Sequence, residues 1–266
     1  MSSPSPILRR AESQGVATLT LASPANRNAL GLLMIDSLIV ALAEIEKDPD
    51  IRVVVIAGEG PALSAGHDLR EMQTHRGDED AGAAYFETLM RRCGELMRGI
   101  VDLPKPVIAA VEGVATAAGC QLVAACDLAI AGEGAKFALP GVNIGLFCST
   151  PLVAVGRAVS RKAAMELALT GEPIDARRAE AIGLVNRVVA AGSALAQAQT
   201  LAGKIAARSG PVLALGKRTF QSQIETTLGD AYRIASQAMI DNLALADCAE
   251  GMAAFLEKRP PVWSGR

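Results

Sequence analysis

The segment Val107–Ala131, VIAAVEGVATAAGCQLVAACDLAIA, constrains this chain more than any other. An apolar run from Val107 to Val111 breaks at Glu112-Gly113, small residues follow from Val114 to Gly119, and a second apolar segment starts at Cys120. The pattern predicts a short buried strand, a tight turn and a helix packed very close to a neighbour, because β-branched residues precede the glycine. Ala117, Ala118 and Gly119 at the helix start would let a ligand or another backbone approach to van der Waals distance. The first N–H groups of a helix are unpaired and sit at its positive end, which suits a developing oxyanion. A close-packed Ala/Gly helix without chemistry accounts for this stretch equally well, so the rest of the chain must decide.

The chain has 266 residues, enough for one large domain or a core with a small C-terminal subdomain. Half the residues are hydrophobic but only 3% are aromatic, so the core must be built from Ala, Val, Leu and Ile. Residues 1–5 read as a loose arm. Ile7–Arg10 and Val16–Leu21 alternate around Ser13-Gln14-Gly15 and predict a hairpin. A turn-rich segment, Ser23–Leu30, opens a helix over about 31–47 with Leu33, Leu38, Leu42 and Ile45 at helical spacing, stopped by Asp48-Pro49. Ile51–Ala57 reads as a buried strand. The loop Leu63–Leu69 comes next, followed by a polar stretch to about Ala81 that reads as a mobile lid. A helix over 83–100 leads through Leu103–Pro106 into the central segment. Beyond it lie a loop rich in glycine and small polar groups, Leu139–Pro151, helices capped by Ser160 and Asp175, and a small strand over 185–189. From about Ser193 to Lys258 the pattern is helical, broken at Gly210-Pro211. This gives a core over 6–192 and a C-terminal helical subdomain over 193–260.

Several function classes drop out. A net charge of −2 makes no electrostatic case for nucleic acid or a membrane surface. No apolar run reaches the length of a membrane span. Five scattered cysteines lack metal-ligand spacing and there are only two histidines, so no metal site is expected. Reduced thiols and a short polar N-terminus without an apolar core point to a cytoplasmic protein.

The order of the pieces resembles the enoyl-CoA hydratase/isomerase (crotonase) superfamily. The resemblance rests on Asn26–Leu30, Ser64–Leu69, Pro104–Gly113, Gly119–Leu122 with Cys126-Asp127, Ala181–Val185, and the tail Glu250–Met252 through Phe255–Arg259. It covers about residues 6–260. Gly66–Leu69, Leu139–Pro151 and Ser236–Leu245 further resemble the enoyl-CoA hydratase domain-containing subgroup. The resemblance implies an α/β, crotonase-like (ClpP/crotonase) spiral of ββα units with a C-terminal helical region, assembled as trimers or pairs of trimers. It implies an acyl-CoA thioester of fatty acid metabolism as ligand, with coenzyme A entering as part of the substrate and no separate cofactor. The thioester carbonyl would accept hydrogen bonds from the backbone N–H groups of His67 and Ala118. The CoA nucleotide would lie near Arg27, Ala29, Ala65, Gly66, Asp68 and Leu69, and Phe255 and Lys258 would reach the CoA of a neighbouring subunit.

One departure limits the activity. Hydratases of this family add water with two glutamates, and here Gln121 and Gly141 stand at those positions. An amide has no useful pKa and glycine has no side chain, so neither can exchange a proton. Because each acid or base contributes about 10²–10⁴ in rate, hydration should be weak. Among other candidates, the His67 imidazole reads as a loop contact before a catalyst and Asp68 as a helix cap. Cys148 and Ser149 read as pocket wall, since the sequence names no base to activate them. Glu112 reads as a turn or interface contact, Asp127 as a structural acceptor, His75 as solvated and Lys258-Arg259 as solvent-exposed. Three functions stay open: an acyl-CoA enzyme with other chemistry (thioester hydrolysis, isomerisation or decarboxylation), a non-catalytic acyl-CoA-binding protein, or a trimeric scaffold.

Overall fold

In the computed structural model, which describes residues 6–265, the chain opens with an antiparallel hairpin of β1 (Leu8–Ser13) and β2 (Val16–Leu21). The arm expected at residues 1–5 lies outside the described residues. Gln14 and Gly15 both take positive φ, 50° and 78°, which matches the twist of a two-residue hairpin turn. Helix α1 (Leu32–Lys47) buries Met34, Ile35, Leu38, Ala41, Leu42 and Ile45. Leu33, expected on that stripe, is 70% exposed, because five residues separate it from Leu38 and a helical stripe steps by three or four.

The chain then winds three strand–strand–helix turns. The first is β3 (Val53–Gly58), β4 (Ala62–Ser64), α2 (Leu69–His75) and α3 (Ala83–Asp102); the second is β5 (Val107–Val111), β6 (Val114–Thr116) and α4 (Ala118–Ala125). The third is β7 (Leu128–Gly132), β8 (Lys136–Ala138), α5 (Ser149–Ala158) and α6 (Arg161–Thr170), after which β9 (Ile174–Asp175), α7 (Ala176–Ala181) and β10 (Arg187–Val189) finish the two sheets. The first strand of each turn enters a six-stranded sheet of order β1-β2-β3-β5-β7-β10, and the second a four-stranded sheet of order β4-β6-β8-β9. Strands β3, β5 and β7 run parallel, as do β4, β6 and β8. This is the expected α/β spiral of ββα units. Two expectations change. Val114–Thr116, read as the approach to a helix, is a strand, too short at three residues to carry a periodic signal. The polar stretch after Leu69, in which no regular element was expected, contains most of α2.

Both faces of the larger sheet are covered, which is why its inner strands are continuous apolar runs. Leu19, Leu21, Val54, Ile56 and Val107 join α1 and α3 in one core. The alternate residues Val16, Val53, Val55, Ile108 and Ile130 pack instead against Ala194, Ala198, Ala202 and Ala206 of α8 (Ala194–Ala206). Alanine at every fourth position lets that helix lie close on the sheet. Packing thus changes character after α8, at Ser209, rather than at residue 193 where the composition shifts. Helices α9 (Gly210–Gln223), α10 (Leu228–Leu243) and α11 (Ala246–Leu256) follow, and Phe220, Leu228, Tyr232, Met239, Ile240, Leu243 and Phe255 on them are exposed.

One ion pair holds α9 to the core. The Lys217 ammonium donates to Asp127 Oδ2 at 2.6 Å and to the carbonyls of Ile100 and Lys105 at 3.0 and 3.2 Å, filling its three donor positions. Asp127 Oδ2 also accepts the Val107 N–H at 2.7 Å, the structural role expected for it. Burial pushes the Asp127 carboxyl up, and the ammonium and the Val107 N–H oppose that shift. Lys217→Met should cost about 3–5 kcal/mol, since removing one partner of a covered pair strands the other charge. Urea unfolding checks this, and Lys217→Met with Asp127→Asn should recover part of the loss.

Candidate functional site

The site forms where two short neighbouring strands end. β4 and β6 pair with Ser64 opposite Ala115, and their chains then enter the loops that carry His67 and Ala118. Crevices beyond the carboxyl ends of adjacent parallel strands are where such sheets bind ligands. Gly66, at φ +91°, lets the first loop turn in a region closed to most side chains. A Cβ there would lie 2.9 Å from Ala117 Cβ and 3.2 Å from Ala118 N, so the two loops touch. Thr116 Oγ1 ties them by donating to the Ala65 carbonyl at 3.2 Å. A Cβ on Gly119 would collide with the Ser64 carbonyl oxygen, which places the start of α4 directly on the end of β4.

Each candidate donor belongs to a peptide unit anchored at its other end. The Gly66 carbonyl accepts the Leu30 N–H at 2.7 Å, and the same peptide carries the His67 N–H, directed the opposite way. The Ala117 carbonyl accepts the Gln121 N–H at 3.0 Å, and the same peptide carries the Ala118 N–H. Neither the His67 nor the Ala118 N–H meets an acceptor among the described residues. Ala117 takes φ 49°, ψ −119°, a conformation rare outside glycine and held here by its own N–H bond to the Ala138 carbonyl at 2.9 Å. Such a pair of free, fixed N–H groups can hold a carbonyl oxygen and favour it more as negative charge builds on it.

The side chains nearby are arranged around this backbone. His67 Nδ1 lies 3.0 Å from the Leu30 carbonyl, which can only accept, so Nδ1 carries the proton. Nε2 is buried and has no partner among the described residues. Burial pulls the imidazole pKa below its ordinary value, against the raising effects of the Leu30 carbonyl and Glu71. The Tyr85 hydroxyl is likewise buried, and burial and then the nearby Glu71 push its pKa up. Asp68 caps α2 through Oδ1 to the N–H groups of Arg70 and Glu71 at 2.9 and 3.2 Å, as expected.

The third loop of the row follows β8 and contains Gly141. A side chain at that position is excluded by the chain itself. A Cβ on Gly141 would collide with the Leu146 carbonyl oxygen and meet Cys148 Sγ at 2.9 Å. Its φ is not in the left-handed region, so the constraint is space rather than backbone sign. Gln121, 4% exposed on α4, has the Cys93 thiol 4.0 Å from Oε1, a weak contact. Cys148 is buried, with its pKa raised by that burial, and Ser149 is exposed at the start of α5. The Gly141 backbone opposes that rise at Cys148 but does not outweigh burial, in keeping with a wall role.

The expected CoA-side residues divide into two groups. Ala65, Gly66, Asp68 and Leu69 line the first loop; exposed Arg27 joins them because its carbonyl accepts the Ala65 N–H at 3.0 Å, and Ala29 is buried beside it. Phe255 and Lys258 sit exposed at the end of α11, and no hydrogen bond among the described residues links them to these loops. Glu112 accepts the Ala194 N–H at 2.8 Å and so starts α8. His75, expected in solvent, stacks on Tyr85 at 3.9 Å and bonds Asp78 at 2.7 Å, because α2 folds back onto α3. Sequence reasoning gave no role to Asn28, Glu71 or Tyr85. Asn28 is fully buried at φ 54°, donates to the carbonyls of Glu59 and Ala62 at 2.9 and 2.8 Å and accepts the Ser23 N–H at 2.8 Å. The readable signal was an asparagine inside a turn-rich segment, where left-handed backbone is tolerated. Among the described residues no cluster of three or more His, Cys, Asp or Glu could hold a metal, and no helix is long and apolar enough to cross a membrane.

The profile of the enoyl-CoA hydratase/isomerase family matches residues 11–266. The chain is 48% identical over 250 residues to the human enoyl-CoA hydratase domain-containing protein 3, mitochondrial, covering 94% of this chain and 81% of that protein. It is similar to the crystal structure of that human protein, with TM-score 0.92, 46% identity and coverage of 97% and 100%. It is similar also to the structure of an enoyl-CoA hydratase from Mycobacterium smegmatis, with TM-score 0.92, 46% identity and coverage of 97% and 99%.

The crowding at Gly141 makes a sharp stability prediction. Gly141→Ala should lose about 1–3 kcal/mol by overpacking, read from urea unfolding, and Gly141→Glu should lose more. A fully stable Gly141→Glu protein would show that the loop opens readily and that the second carboxylate can be restored.

Proposed function

The chain belongs to the enoyl-CoA hydratase/isomerase family, in its enoyl-CoA hydratase domain-containing subgroup, and we propose that it binds an acyl-CoA thioester and polarises the thioester carbonyl between the His67 and Ala118 N–H groups. The observation that carries this reading is the anchoring of both donor peptides by their carbonyls, at Leu30 and Gln121, which leaves two fixed N–H groups free on touching loops. One such donor is typically worth about 2.7–4 kcal/mol of transition-state stabilisation. Coenzyme A would arrive as part of the substrate, with Arg27, Ala29, Ala65, Gly66, Asp68 and Leu69 beside it. Proton chemistry is the weak part of the site. Gln121 cannot take a proton from water, and the Gly141 position has no space for a carboxylate. Hydration should therefore be slow, and the reaction would be one that relies on carbonyl polarisation.

A non-catalytic acyl-CoA-binding role is the second reading, favoured by the same crowding at Gly141. The exposed apolar residues of α9–α11 support assembly as a trimer or pair of trimers, with Phe255 and Lys258 reaching a neighbour's CoA. The cytoplasmic setting expected from the sequence is corrected by the relatives, which are named mitochondrial at 48% identity for the human protein and 48% for the mouse one.

Calorimetry with CoA and a series of acyl-CoAs, followed by turnover on crotonyl-CoA, tests the reading. Binding should be clear, and hydration should fall at least about 10²-fold below a relative with both glutamates, one acid–base group's worth of rate. Absence of binding would remove the proposal, and ordinary hydratase turnover would show that another group supplies the protons. Light scattering should report a multiple of the 27.5 kDa chain, and a monomer at micromolar concentration would sink the assembly.

A further inference from the structure

The His67 side chain shares a closed circuit with the backbone donor of the same residue. Its Nδ1–H donates to the Leu30 carbonyl at 3.0 Å, and the Leu30 N–H donates to the Gly66 carbonyl at 2.7 Å. That second bond holds the peptide unit whose other end is the His67 N–H. The ring therefore grips the residue that aligns its own peptide. Glu71 on α2 is the charged group that acts on the ring, and it acts also on Tyr85 of α3, whose other charged neighbour is Asp68, the cap of α2. Glu71 lies against Gly31, the next residue after Leu30, where a Cβ would meet its carboxyl carbon at 3.3 Å.

The other ring nitrogen decides between two roles. A general base must reach the proton that it removes. Nε2 is buried, has no polar partner among the described residues and shows essentially no surface to a ligand. The imidazole is thus poorly placed for proton transfer and well placed to brace.

We propose that His67 is a positioning residue whose imidazole, through Leu30, fixes the His67 N–H that polarises the thioester. The proposal rests on the acyl-CoA reading above. It differs from any role for His67 as base or acid, because only the Nδ1–H is used. That hydrogen is present in the neutral and the protonated ring alike.

The test uses the full-length protein saturated with an aromatic enoyl-CoA, a conjugated thioester whose absorption moves to longer wavelength when its carbonyl is polarised. Wild type should show the red shift, with equal size from pH 6 to pH 8.5. His67→Ala should lose at least half of the shift at saturation, and His67→Gln, which keeps an amide donor for the Leu30 carbonyl, should regain part of it. Circular dichroism checks the fold of both variants. A full shift in folded His67→Ala would overturn the inference. A wild-type shift that titrates with an imidazole-like midpoint would also overturn it, and this arm needs no variant to fold. Failure of wild type to bind the probe, or binding with no shift, would instead remove the acyl-CoA reading on which the inference stands.

Discussion

A trans peptide unit points its C=O and N–H in opposite directions, so fastening one end aims the other. The site depends on that constraint twice. The Gly66 carbonyl is fastened by the Leu30 N–H, and the Ala117 carbonyl by the first turn of α4. Neither fastening would serve if the loops stood apart. They meet because β4 and β6 are neighbours in the smaller sheet and end at the same level, and because Gly66 and Gly119 carry no side chain at the contact. Behind them, Asn28 joins the turn at Ser23 to the carbonyls of Glu59 and Ala62 on either side of the turn into β4. The larger sheet and its helices supply the rigid base on which these short segments rest.

How much of this was legible in the sequence follows from the length of each signal. The six-stranded sheet showed in runs such as Val53–Ile56 and Val107–Val111, and α1 and α3 in their helical spacing. The smaller sheet was invisible, since β4, β6 and β8 have three residues each, below the reach of any periodicity. Yet those strands place the site. The candidate residues were found through the family resemblance and the Ala/Gly stretch, while their anchors were not. Leu30 acts only through its backbone, and the conformation of Ala117 has no counterpart in an alanine's identity. Residue type names a side chain, whereas this site is made of peptide groups.

The electrostatics agree with that division. Fixed N–H dipoles act at any pH and need no titrating group to develop charge. The ionisable side chains close to the loops are either engaged or shielded: Asp68 caps α2, Nδ1 of His67 serves Leu30, and the Tyr85 hydroxyl is buried with its pKa raised. One orphaned atom, His67 Nε2, has no partner among the described residues and forgoes roughly 1–3 kcal/mol by going unpartnered. The packing of α2 on α3, with His75 stacked over Tyr85, must be favourable enough to hold that arrangement.

The two departures from the hydratase pattern are therefore unlike in kind. At Gln121 a glutamate differs by one terminal group, and the buried position already accommodates the side chain's volume. At Gly141 the difference lies in the backbone, because the Leu146 carbonyl and Cys148 Sγ occupy the place that a Cβ would take. The Leu146 N–H also returns to the Gly141 carbonyl at 2.9 Å, so the loop closes on itself around that glycine. A carboxylate at that position would have to displace the Leu146 carbonyl, in the loop that leads into α5. On the proposed reading, weak hydration would follow from the path of the chain at Gly141, while the candidate polarising pair, built from peptide groups on the other two loops, would be untouched by it.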